Sequence, residues 1–380
     1  MKLFFINVTI ISMKKIKIIL FLLLFLLLPL KVFAIEEDTY KAKVLSHEIV
    51  ECGDDLLLED YQCVIYEIQI LDEEFGEKKV QTKVSIFNNE EAVFSDGSKI
   101  YASYSKDVEG NYSWNIEGYS RESEIVFLFL FFIFTIFLVN GKKGLGATLG
   151  LILTILVIYA FTIPMIVNGM SIFFVASVSV FVILLSSYLS HGFNKKTSIA
   201  LLSMFIGVIF VFILGYIVLK ALHLDGVGEE HSNMLYGQLS GNIKLFDILL
   251  FSIVLGVVGV LDDVTIGQVA SMQELISTNK NINSVDLFRK SMNIGKDHIA
   301  SMVNTLFIAY AGSSLSLVVI LSINNPGIIS LINLDYISEE IVRTLVASIG
   351  LVLIVPLTTF MGSIILLGDR NLQKRYNNDR

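Results

Sequence analysis

Residues 246–270 read FDILLFSIVLGVVGVLDDVTIGQVA. Wound as an α-helix at ~1.5 Å per residue, this stretch is about 37 Å long, enough to cross a ~30 Å hydrocarbon core. Beyond Asp247 it is mostly apolar down to Leu261 and then meets two aspartates. Ser252, Gly256, Gly259, Asp263, Gly267, Ala270 and Glu274 recur at steps of three or four, so they share one face of the helix. Small residues on a membrane helix let a neighbour approach closely, which places Asp263 on a packed face. Asp262 projects about 100° away from it. An ionisable residue inside a span is costly and marks function by default. The competing reading ends the span near Leu261 and leaves both aspartates among the headgroups.

The rest of the chain agrees with a membrane setting. Hydrophobic residues make up 54% of the 380, and only 17% are charged, against about 25% in soluble chains. That balance excludes a water-soluble enzyme and a disordered chain. Seven apolar spans are predicted: 125–139, 145–167, 170–189, 199–222, 246–269, 299–321 and 341–367. Lys142-Lys143, Lys195-Lys196, the link bearing Lys280, Arg289, Lys290 and Lys296, and the tail with Arg370, Lys374 and Arg375 then share one side. Under the positive-inside rule that side is the cytoplasm. Glu229-Glu230 and Glu339-Glu340 fall in outer loops.

Lys14, Lys15 and Lys17 precede the apolar run 18–30, and Val32-Phe33-Ala34 resembles a cleavage site, so residues 1–34 are expected to be a signal peptide or an uncleaved signal anchor. Residues 35–124 hold 22 acidic and 8 basic side chains, a balance of −14; the other 14 acidic and 20 basic residues of the chain give +6. Within 35–123, alternation at Val64, Tyr66, Ile68 and Ile70 predicts a half-buried strand. Further strands are expected at 40–50, 78–86, 99–106 and 112–119. Five strands in so short a segment suggest a small extracytoplasmic all-β domain, a barrel of OB-like type or a sandwich. The two cysteines, Cys52 and Cys63, both lie there and are disulfide candidates outside the cytoplasm; two reduced thiols are the alternative. Residues 124–368 form the transmembrane domain and 369–380 a cytoplasmic tail. The expected fold class is therefore an α-helical integral membrane protein with about seven transmembrane helices after a signal peptide, carrying this β domain, in the cytoplasmic membrane of a bacterial cell.

The sixth span offers a face of Ser301, Thr305, Ala309, Gly312 and Ser316, with Asn304 beside it. Counting residues from each boundary places Asp263 level with Asn304 and Thr305, so the candidate proton or ion site comprises Asp263, Asp262, Asn304 and Thr305. Gly256, Gly259, Gly267 and Gly312 are the candidate helix-packing positions. His223, Asp225, Glu229, Glu230 and His231 fall within nine residues of an outer loop, a composition that suits a metal but equally a solvated loop; no metal and no cofactor is expected. No span carries a Ser/His pair, a His-Glu-x-x-His helix or a second interior aspartate suited to proteolysis, so no catalytic residue is assigned. Nucleic acid is not an expected partner. The lipid bilayer is, together with a second membrane subunit or further copies of the chain.

Taken together, residues 256–275, Met292-Asn-Ile-Gly-Lys-Asp297, Met302-Val-Asn-Thr-Leu306 and Gly312-Ser-Ser314 resemble the signature region of the YibE/YibF membrane proteins. The family pattern has a single Asp-Val-Ala; here Asp262-Asp263-Val264-Thr265 adds an acid and carries Thr in place of Ala. The resemblance implies a polytopic membrane protein with an outside β module, and no particular activity. A Gly-rich span bearing Asp, followed by a Thr/Asn-rich span, is also similar to the membrane part of SecD/SecF-type proton-driven proteins. Two function classes follow. One is a proton-coupled, permease-like transporter using Asp263. The other is a non-transporting envelope sensor, assembly or accessory protein that binds a partner through its β domain.

Overall fold

A computed structural model describes residues 39–50, 61–72, 78–87, 94–106, 112–228, 244–324 and 327–378. The run 18–30, Cys52 and the residues Glu229, Glu230 and His231 lie outside the described residues. The chain divides into two compact units, one comprising Phe33–Leu138 and the other holding the helices from Val139 onward.

The first unit is built on one five-stranded antiparallel sheet: β1 Thr39–Val50, β2 Tyr61–Ile70, β3 Lys79–Phe87, β4 Lys99–Lys106 and β5 Tyr112–Tyr119, in the order β3-β2-β1-β4-β5. Alternation puts Ala42, Val44, Val64, Tyr66, Ile68, Ile70, Ile100, Ala102 and Trp114 on one buried face. A bulge between Val44 and Ser46 bends β1, and the Thr82 hydroxyl of β3 donates to the Trp114 carbonyl of β5. The two edge strands are thereby drawn together, and the sheet curls towards a partly open barrel. Tyr66 is fully buried, and its hydroxyl accepts the Phe94 N–H at 3.0 Å. Burial pushes its phenol above the ordinary tyrosine value. Cys63 is disulfide-bonded. The unit ends with α1, Glu122–Asn140, apolar round its circumference. Lys41 of β1 reaches Glu122 at the start of α1 at 2.8 Å.

The second unit is helical: α2 Lys142–Leu156, α3 Ile163–Val167, α4 Ile172–His191, α5 Lys195–Ala221, α6 Leu245–Thr278, α7 Ser284–Ser313, α8 Leu315–Asn324, α9 Ile328–Ile332 and α10 Asp335–Asn378. A π-helical turn, Val157–Thr162, joins α2 to α3 just before Pro164, whose missing N–H cannot continue the regular ladder. There the Thr162 hydroxyl bonds the Val157 carbonyl at 2.9 Å and the Ser179 hydroxyl at 2.7 Å. Among the described residues six helices are long and apolar enough to cross a membrane: Glu122–Asn140, Gly144–Val167, Ile172–His191, Lys195–Ala221, Leu245–Thr278 and Asp335–Gly368. The expected span 299–321 falls on the polar-started helix α7 and its continuation α8, interrupted at Ser314.

Helix α6 is the centre of this unit, packed against α4, α5, α7 and α10. Its Leu249, Ile253, Val257 and Leu261 are fully buried, together with Val211 of α5 and Leu351, Ile354 and Val355 of α10. Helices α5 and α10 cross closely. A Cβ at Gly207 would stand 2.5 Å from the Ile354 Cδ1, and one at Gly350 would overlap the Val211 side chain. Each glycine receives the other helix's branched side chain, the packing that membrane helices use to approach closely.

The helices continue beyond the apolar stretches. α6 runs unbroken through Asp262-Asp263 to Thr278, and α7 begins at Ser284, capped by the Asn283 side chain on the Asp286 N–H at 2.8 Å. Met272, Ile282, Leu287 and Leu367 close a small apolar core there. The link 271–298, polar in sequence, is therefore largely helix packed on helix.

Candidate functional site

Asp262 is the carboxylate that α6 presents to a neighbouring helix. Its Oδ1 accepts the Ser187 hydroxyl of α4 at 2.8 Å, and the residue is half-buried. Ser187 itself is buried. One turn on, at the end of α4, His191 interacts electrostatically with both Asp262 and Asp263. Ser187 and His191 are four residues apart and so share a helix face. Gly192, at φ 78, ends α4 immediately afterwards. The Thr265 hydroxyl, fully buried, donates to the Asp262 carbonyl at 3.2 Å. Ser187 and Asp262 thus meet at the α4–α6 contact, with His191 one turn further along α4. A carboxylate that accepts a hydroxyl in this way can hold or release a proton.

The ranking expected from the glycine stripe is reversed here. Asp263 is exposed, and among the described residues no hydrogen bond joins it to Asn304 or Thr305. Asn304, Thr305 and Ser301 are exposed on α7, and the Thr305 hydroxyl donates to the Ser301 carbonyl of its own helix at 3.0 Å. The buried row of α7 is Leu287, Ser291, Gly295 and Leu306, which turns the small-residue face 301/305/309/312 outward. The glycine positions separate accordingly. A Cβ on Gly256 would lie 3.1 Å from the Tyr310 hydroxyl and one on Gly267 3.7 Å from the His298 ring, so these two do face α7. Gly259 and Gly312 face open space.

Gln268 is a second polar feature. It is 1% exposed. Its Nε2 donates to the Ser291 carbonyl of α7 at 2.9 Å and to the Thr359 hydroxyl of α10 at 2.7 Å. Thr359 in turn donates to the Val355 carbonyl at 2.7 Å. Gly295 makes room for this amide, since a Cβ there would stand 3.1 Å from Nε2 and 2.5 Å from Val355. Gln268 therefore ties α6, α7 and α10 together six residues beyond Asp262.

At the opposite end, Glu339 is buried in the start of α10 rather than exposed in a loop. Its Oε1 accepts the N–H groups of Gly226 and Gly228 at 3.1 and 3.3 Å, which fastens the link after α5. Lys220 stands over the Phe246 ring at 4.4 Å, and Arg343 pairs with Glu340 at 3.2 Å. No group of three or more metal-capable side chains occurs among the described residues.

Ser187, His191 and Gln268 were all missed in the sequence. The available signal was the Ser187/His191 spacing at the end of a span. The family model described as YibE/F-like protein matches residues 128–368, from within α1 to α10. No curated protein and no solved structure matches the chain.

Proposed function

The chain belongs to the YibE/F-like family, and on that premise we propose that it is a proton-coupled, permease-like transport protein of the cell membrane. Seven spans follow the N-terminal sheet, α7 and α8 together supplying the sixth. The sheet is extracytoplasmic behind a signal segment, and the C-terminus is cytoplasmic, as the distribution of lysine and arginine between links requires. The observation that carries the reading is the 2.8 Å bond from Ser187 to Asp262, between two helices that are each long and apolar enough to cross a membrane.

The chemistry follows from that bond. Ionised, Asp262 accepts a charge-assisted hydrogen bond from Ser187, the stronger form of the contact. Protonated, its carboxyl offers only a neutral acceptor, and the hold of α4 on α6 weakens. His191 lies one turn beyond Ser187, at the helix end next to the basic link. Proton occupancy is thereby coupled to the α4–α6 contact, the kind of two-state element that alternating access uses. The protein is not an enzyme on this reading and needs no cofactor.

The test is solute accumulation in vesicles bearing the full chain, with and without an imposed pH gradient. Asp262→Asn should remove the gradient-dependent part at an unchanged membrane level. Accumulation equal to that of the parent would overturn the proposal. The charge balance of −14 in residues 35–124 favours a second reading, in which the sheet binds a basic envelope partner and no solute moves. Gradient-independent behaviour of every variant would point there.

A further inference from the structure

Helices α4 and α5 are joined by a three-residue link at one end and border, with α6, a half-open slot of about 520 Å³. Its walls are apolar and largely aromatic, with Phe173 and Phe181 from α4, Phe212 from α5 and Phe251 from α6. It extends along α4 from Ser171 to Leu184, thirteen residues or about 20 Å at ~1.5 Å per residue. Its length and its apolar walls suit an extended alkyl chain. Walls of this kind do not hold water.

One end of the slot is different. Asp247, in the first turn of α6, and Tyr216 line the mouth beside Ser171. Asp247 is half-buried and has no ion-pair partner among the described residues. The ammonium of Lys220 is turned to the Phe246 ring instead. A carboxylate at the mouth of an apolar slot, unpaired among the described residues, complements a positively charged head on an alkyl chain.

We propose that this slot binds a single-chain amphiphile, its alkyl chain between α4 and α5 and its ammonium head on Asp247. The site is distinct from the Ser187–Asp262 pair and requires no proton transfer there. Occupancy holds α4 and α5 apart along the slot, and Phe173 and Phe212, ring centroids 5.8 Å apart, contact the chain.

The chain has one tryptophan, Trp114 of β5, so Phe212→Trp adds a reporter in the slot against a constant background. The full chain carrying it is placed in phosphatidylcholine nanodiscs and titrated with octadecylamine bearing a nitroxide on its chain. Nitroxide-labelled stearic acid serves as the opposite-charge probe. Saturable quenching by the amine, reversed by unlabelled octadecylamine, is expected, with at least tenfold weaker binding of the acid. Asp247→Asn should raise the half-saturating amine concentration about tenfold, and Ala176→Phe, which fills the slot, should leave only bilayer partition. Quenching that rises linearly with concentration, equal affinity for the two probes, or an unchanged half-saturation point in Asp247→Asn would each overturn the proposal.

Discussion

The Ser187–Asp262 contact makes a quantitative claim that a double-mutant cycle can decide. Ser187→Ala deletes the donor and Asp262→Asn replaces the carboxylate with an amide of the same shape. Hydrogen bonds to charged groups in soluble proteins contribute about 1.5–3 kcal/mol, whereas cycles on membrane helices average ~0.6 kcal/mol and reach ~1.7. The bond is 2.8 Å long, the donor is buried and the acceptor is half-buried. A coupling of about 1–1.5 kcal/mol is therefore expected with Asp262 ionised, a factor of roughly 5–13 in the unfolding equilibrium. Reversible unfolding of the full chain in mixed micelles, for the parent, both single variants and the double variant, measures it. The paired cycle of Ser187→Ala with Asp263→Asn is the control and should be additive to within ~0.3–0.5 kcal/mol. Coupling of Ser187 to Asp263 rather than Asp262, or additivity in both cycles, would refute the geometry on which the site rests.

Gly207→Leu should cost about 1–3 kcal/mol by overpacking against Ile354, whereas Gly259→Leu, facing open space, should leave detergent-extracted yield and melting temperature close to those of the parent. The sheet unit should lose stability as pH rises past about 10, the ordinary tyrosine value. Tyr66 titrates above that value when folded, so its contribution is complete below it and disappears as pH climbs through the raised value; near-ultraviolet dichroism of the full chain follows the loss. Thiol counting on the denatured, unreduced full chain should find Cys63 unreactive, since it is disulfide-bonded; a reactive thiol at that position would contradict the bond.

The strands were legible almost to the residue because period-two alternation is strong where one face of a sheet is buried. Val64, Tyr66, Ile68 and Ile70 all lie in the sheet core. The long apolar helices were legible for the equally simple reason of length. The ranking of site residues was not, because the small-residue stripe identifies a packing face only when a helix has one neighbour. Helix α6 has four, so Asp262, off the stripe, meets α4, while Gly259, on it, meets nothing. Nothing in the sequence marked Gln268 and Ser291 as interior positions. They are buried because α6, α7 and α10 continue as a packed bundle past the apolar stretches, a tertiary fact with no local signature. His191 was hidden by its place in the last turn of α4, where a polar residue ordinarily marks the end of a span.

The central claim is that Asp262 exchanges a proton within the bundle. Infrared difference spectra of the full chain in lipid, recorded across a pH titration, observe that group directly through the carbonyl stretch of its protonated carboxyl. A titrating carboxyl band that is present in the parent, retained in Asp263→Asn, shifted in Ser187→Ala and missing from Asp262→Asn is the expected result. Superimposable spectra from the parent and Asp262→Asn would contradict it.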